Sequence, residues 1–266
     1  MAGSVVTVAE IAQGIENVYP SSGSASWDNV GLLVGDPSQA VEGIVFALDP
    51  TLEVLEFATA KAANVVVTHH PVFLSPLQNV NTSQSYNARV VHEAIKRGIA
   101  LINAHTNLDV ARDAKYILGS KLGLLDRGDL ETSEPPSYAE LWEVPTPRSL
   151  AEVARSCREV FGVFPRVWGE ATKQVIRIVT ATGSASSRVD EALSAHADLL
   201  IAGEIHYHEC LAAREQGLAC IELGHDVSEW PLVPLLKEAV LSNTFISPTK
   251  VYDMPAGAHW WVSIGE

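Results

Sequence analysis

Apolar residues at Val8, Ile11, Ile15 and Val18 recur every three or four positions, so 7–18 predicts a helix with one buried stripe. A polar, serine-rich stretch at 21–26 reads as a loop, followed by short apolar runs at 30–34 and 43–48. A helical pattern then runs from Leu52 to Ala63, ahead of the strand-like Val65–Val67. Next come a helix at 85–97, a strand at Ile99–Asn103 and a helix at 110–122. Strand and helix alternate, which argues for an α/β sheet covered on its faces. Residues 124–149 break that rhythm with acids, Pro135–Pro136, Pro145 and Pro147 around a strand-like YAELWEV. They mark a boundary between two lobes, 1–125 and 126–266. Alternation resumes with a helix at 149–161, strands near 164–168 and 174–181, a helix near 186–196 and a strand at 198–202. A helix near 207–216, a strand at 218–223, a helix near 229–241 and a C-terminal strand pair complete the pattern.

The two halves resemble each other. ATAKAANVVVTHHP leads through a helix to IKRGIALINAHTNLD, and SAHADLLIAGEIHYHE leads through a helix to REQGLACIELGHDVSE. Each unit is a helix end, an apolar strand with polar residues at its tip, a helix, and a second strand ending in His and an acid. Two ordinary βαβ units would share part of this likeness by chance, and a pseudo-repeat accounts for the rest.

Composition narrows the class. The 266 residues are 47% hydrophobic, and 18 basic against 32 acidic side chains give a net charge of −14. That charge disfavours nucleic acid and anionic membrane as partners, because both require phosphates to be neutralised. Cys157, Cys210 and Cys220 form neither a disulfide framework nor a thiolate zinc cage and read as buried thiols of a reducing compartment. The N-terminus lacks the pattern of a signal peptide, and no window is apolar for the length of a membrane span. A soluble, cytoplasmic chain is expected.

The chemistry follows the histidines. Of nine, His69, His70, His105, His206, His208 and His225 fall at the carboxyl ends of four predicted strands. Ligands bind there in open α/β sheets. Asp109 and Glu229 follow His105 and His225 by four residues, a spacing that faces one side of a helical turn. Neutral imidazole with carboxylate suits Zn²⁺, Fe²⁺ or Mn²⁺. Adjacent His69 and His70 on a loop point apart and so suit two metals a few ångström apart. His105 reads as orienting a ligand in preference to being one. His206 and His208 divide evenly between a pocket role and a plain helix start. His92 and His196 read as structural, and His259 stays open. TGSASS at 182–187 reads as a capped helix start and WDNVGLLVG at 27–35 as a turn into a buried strand.

WDNVGLLVG, VVVTHHPVF, INAHTNLD, AGEIHYHE and IELGHDVSE together resemble, in the same order, the motifs of the Nif-three-like family of dinuclear-metal proteins. Members of that family carry the label GTP cyclohydrolase I type II homologue. The resemblance runs from about residue 7 to the C-terminus and is to the short form, without an inserted domain. It implies two similar α/β lobes with a metal site in the cleft between them, and a hexameric ring. It also implies two divalent ions (Zn, Fe or Mn) held by His69, His70, Asp109, His225 and Glu229. His105, His206 and His208 then line the same cleft and move protons. Asp226 departs from the pattern, which often has Tyr there. The expected activity is dinuclear-metal-dependent hydrolysis of a small molecule, either opening of the purine imidazole ring of GTP or cleavage of a nucleotide or other phosphoester. The alternative is a non-catalytic regulatory or interaction protein in which the metals are structural.

Overall fold

A computed structural model describes residues 5–130, 137–243, 250–255, 260 and 263. In chain order the elements begin with α1 (Val8–Val18), β1 (Gly31–Val34), β2 (Ile44–Ala47), α2 (Leu52–Ala60) and β3 (Val65–Thr68). Then come α3 (Tyr86–Arg97), β4 (Ala100–Asn103), α4 (Thr106–Asp109) and α5 (Arg112–Lys121). They continue with β5 (Leu125–Asp129), β6 (Ala139–Ser149), α6 (Leu150–Phe161), β7 (Arg166–Trp168) and β8 (Gln174–Ser184). Next are α7 (Val189–Ser194), β9 (Leu199–Glu204), α8 (Tyr207–Glu215) and β10 (Ala219–Glu222). Last come α9 (His225–Glu229), α10 (Val233–Asn243) and β11 (Val251–Asp253). Of the expected C-terminal strand pair, β11 is the member that lies among the described residues. Glu131, Glu134 and Pro135–Pro136 fall outside them.

The chain forms two compact units. One comprises Met1–Ala111 with Leu232–Ala256, the other Arg112–Pro231 with Gly257–Glu266. The first holds a five-stranded sheet in the order β1-β4-β3-β2-β11, the second a six-stranded sheet in the order β5-β6-β8-β9-β10-β7. In the first, β2, β3 and β4 run parallel and β1 closes the edge antiparallel. In the second, β8, β9 and β10 run parallel and β7 closes the edge antiparallel. The pseudo-repeat is thus a repeat of topology. β2, β3 and β4 are buried at every position, and their apolar runs do not alternate because parallel strands are covered on both faces. In the second sheet, Leu199 and Ile201 enter one core cluster while Leu200 and Ala202 enter another, as pleated side chains must.

Helix ends obey local chemistry. Thr7 and Ser149 form capping boxes with Glu10 and Glu152 at the starts of α1 and α6. Gly98 ends α3 in the left-handed conformation. Two helices exchange partners between the halves of the sequence. The helix α5, which follows α4 of the first unit, packs in the second on β6 and β8. Conversely, α10 follows α9 of the second unit and packs in the first on α1, β2 and β3. Among the described residues, no helix is long and apolar enough to cross a membrane.

Candidate metal centre

Strand register gathers the chemistry of the first unit. Ala47 pairs with Thr68 and Thr68 with Asn103, so the residues just past β2, β3 and β4 emerge along one sheet edge. Those residues are Asp49, His69–His70 and His105. The Thr68 hydroxyl donates to the His70 carbonyl at 2.7 Å and closes the turn that carries the pair. The rings of His69 and His70 lie side by side, with centroids 5.0 Å apart and tilted by 44°. They are held so because the Nδ1 of each is already engaged. His69 is fully buried, and its Nδ1 is 2.9 Å from the Ala104 carbonyl. His70 Nδ1 lies 2.8 Å from Asp49 Oδ1, and His105 Nδ1 lies 2.9 Å from Asp28 Oδ1.

A carbonyl or carboxylate oxygen only accepts, so in the neutral rings each Nδ1 carries the proton and each Nε2 presents a lone pair. That is the tautomer of a metal-ligating histidine held by an outer acceptor. Ligand nitrogens of His69, His70 and His105 lie within 4.8 Å of one another. Asp109, at the end of α4, brings Oδ1 to 3.4 Å from His69 Nε2. Two electron-pair donors facing each other at that distance suit a cation. The donor set therefore fits a divalent metal of intermediate softness. His105, expected to orient a ligand, lies beside this set, its ring centroid 5.2 Å from that of His69 and 5.6 Å from that of His70. Burial works to raise the pKa of Asp28, but hydrogen bonds from His105 and Thr106 outweigh it and hold the carboxyl well below the ordinary range. It is a fixed anion.

The second unit repeats the arrangement. Ser184 pairs with Glu204, and Ala202 with Glu222, which brings Gly183, Glu204 and His225 to one edge. His225 Nδ1 is 3.1 Å from Glu204 Oε1, and its Nε2 is 3.1 Å from Glu229 Oε2. Gly183, at φ +58°, leaves the space these groups need, since a Cβ there would collide with Glu229 Oε1 and sit 3.3 Å from His225 Nε2. Its N–H donates to Ser228 Oγ at 2.9 Å. The 182–187 segment thus acts first as a clearance for the His225–Glu229 pair. Asp226, the departure from the motif, accepts from Trp260 Nε1 at 3.1 and 3.2 Å.

His206 and His208 are exposed at the start of α8. The His206 N–H donates to Ser186 Oγ at 2.9 Å, and the His208 ring lies against Tyr207. His92 is exposed on α3, and His259 lies outside the described residues. Cys157, Cys210 and Cys220 are buried; burial pushes the thiols of Cys157 and Cys210 up to about 12 and 11 and raises that of Cys220 as well. They are poor nucleophiles.

Sequence reasoning passed over Asp49 and Glu204 and took the Asp28 segment for a simple turn. The available signal was an acid two residues past β2 and another at the tip of β9, on the edges that carry the histidines.

Residues 6–251 match the Duf34/NIF3 (NGG1p interacting factor 3) family. A Streptomyces coelicolor protein named GTP cyclohydrolase 1 type 2 homolog is 31% identical over 236 residues, covering 84% of this chain and 82% of that protein. A Helicobacter pylori protein named GTP cyclohydrolase 1 type 2 is 24% identical over 251 residues, 93% of this chain and 97% of its own length. Among solved structures, a Bacillus cereus protein related to NIF3 superposes with a TM-score of 0.86 at 18% identity, over 98% of this chain and 100% of that one. Reduced HcgD from Methanocaldococcus jannaschii does so with a TM-score of 0.79 at 22% identity, over 94% and 98%. At those identities the structures speak for the fold, and the sequence match speaks for descent: the chain belongs to the Duf34/NIF3 family.

Proposed function

We propose that this chain is a metal-dependent hydrolase carrying two divalent ions. The ligands are His69, His70 and Asp109 in the first unit and His225 with Glu229 in the second. The observation that carries this reading is the common tautomer. His69, His70 and His105 each place Nδ1 on an oxygen acceptor, which makes Nε2 the lone-pair nitrogen of the neutral ring. Bound there, a divalent ion supplies Lewis acidity, which acidifies water and polarises an electrophilic carbon or phosphorus centre.

The protein supplies the rest. His105, steadied by the Asp28 carboxylate, accepts a proton at Nε2 and returns it to the leaving group. Asp49 and Glu204 hold His70 and His225 in orientation. His206 and His208 are the further proton carriers of this proposal. The names of the relatives suggest GTP as substrate, opened hydrolytically at its imidazole ring with loss of formate, and a nucleotide is the substrate class proposed here. The assembly proposed is the homo-hexamer that the family resemblance implies, with neither membrane nor nucleic acid as partner.

The test is metal content per chain by elemental analysis of untagged wild type and His69→Ala, followed by formate release from GTP. About two metals in wild type, fewer in the variant, and metal-dependent formate release support the reading. A wild type that takes up no Zn²⁺, Mn²⁺ or Fe²⁺ overturns it and leaves the histidine edge as a binding surface.

A further inference from the structure

Trp27 is 61% exposed, more than any other aromatic side chain among the described residues. An indole offers a large flat apolar face to anything that packs on it, and what sets this one apart is its fixed place beside His105. The backbone beneath it is not loose. Ala25 to Asp28 form a turn closed by the Asp28 N–H on the Ala25 carbonyl at 2.9 Å, with Ser26 and Trp27 at its apex. The Ala25 N–H donates to Thr106 Oγ1 at 2.9 Å. Asp28, its side chain fully buried, takes His105 Nδ1 and the Thr106 N–H and hydroxyl. Asn29 donates to the Phe73 carbonyl at 3.2 Å and accepts at its own carbonyl from Asn103 at 3.1 Å. The turn is therefore bolted to the segment that carries His105, while the indole at its apex stands in solvent. Its ring centroid is 6.1 Å from that of His105, the planes at 75°.

From this we infer that Trp27 is a specificity-determining residue. Its indole is the stacking wall on which a planar heteroaromatic ring lies, with the reacting edge of that ring beside His105. The inference rests on the proposed hydrolase for its chemistry, but the platform itself is a binding device. A rigid aromatic wall accepts any planar base, whereas the carboxylate and amide that follow it in the chain already have other partners. Asp28 is spent on His105 and Thr106, and the Asn29 amide on Phe73.

The test is calorimetric titration of the full chain with guanosine and, as a probe without an aromatic ring, ribose, for wild type, Trp27→Phe and Trp27→Ala. Metal content and molar mass in solution are measured on the same samples. The expected result is binding of guanosine but not ribose, weakened at least about fivefold in Trp27→Ala and largely kept in Trp27→Phe. Metal content should be equal in all three. Guanosine binding that ignores Trp27, absent guanosine binding, or equal binding of ribose overturns the platform. A Trp27→Ala chain that binds guanosine normally but changes molar mass assigns the indole to a contact between copies and also overturns it. The two readings fail separately. Metal-free protein with Trp27-dependent guanosine binding sinks the hydrolase and keeps the platform, while metal-loaded protein indifferent to Trp27 does the reverse.

Discussion

Gly183 and Glu140 show how single positions set the chemistry and the stability of the second unit. A methyl group at 183 would meet the Glu229 carboxylate, and the positive φ costs a non-glycine residue about 1 kcal/mol or more. Gly183→Ala should therefore leave a folded chain in which Glu229 is displaced and the His225–Glu229 pair loses metal. Zinc titration checks this: weaker uptake is expected in the variant, and wild-type affinity would make the position of Glu229 immaterial. Glu140, on β6 and 1% exposed, has its pKa raised to about 7 by burial and then by the negative charge of Asp129, which is ion-paired to Lys115. Because the folded value exceeds the unfolded value of 4.5, the folded state holds the extra proton between them. Glu140's own contribution to stability is therefore greatest below pH 4.5 and falls as pH rises towards 7. Glu140→Gln should lessen the drop in thermal midpoint between about pH 5 and 8, by roughly 1–3 kcal/mol in stability. An unchanged drop would show that Glu140 titrates normally. Neither role is visible in the sequence, since Gly183 falls in what reads as a capped helix start and Glu140 in the strand-like YAELWEV. What makes them special is a neighbour more than 10 residues away.

At the scale of elements, the repeat is deeper than its histidines. Ala62 and His196, each just past the end of a helix, both adopt positive φ, 51° and 54°. Asn64 and Asp198, each one residue before a strand, both use the side chain to seize backbone of the neighbouring strand segment. Asn64 Oδ1 accepts from Glu42 N at 2.8 Å, and Asp198 Oδ2 from Ile176 and Arg177 N at 2.9 Å. Left-handed residues at this position are usually glycine. Ala62→Gly and His196→Gly should each stabilise by about 0.5–1 kcal/mol, the strain relieved less the added freedom of the unfolded chain. Urea midpoints should rise with slopes unchanged, and a fall would show that His196 contributes through its ring. Helices and strands near 85–103 and 199–222 were legible because parallel, doubly covered strands write uninterrupted apolar runs between amphipathic helices. The 3₁₀ turn at 186–188 and the short α9 were not, and the expected 229–241 helix begins only at Val233, after the 3₁₀ turn at 230–232.

The whole molecule shows what periodicity leaves open. An apolar stripe on α10 says that the helix is half-buried, not which sheet buries it, so its return to the first unit with β11 lay beyond a reading that divided the chain once. That return governs the first unit's integrity, because α1 packs on α10 and the Ile44–Phe46 edge pairs with Val251–Asp253. A chain ending at residue 231 should keep the second sheet protected from hydrogen exchange and leave β2 and β3 open, whereas full protection of both sheets would show that α10 and β11 are accessory. The same topology bears on synthesis. A ribosome delivers residues 1–111 first, yet their sheet lacks its covering helix and edge strand until the chain has been read to residue 253. The unit translated first is thus the last to close, and throughout that interval its β2 edge stays open to pairing with another chain.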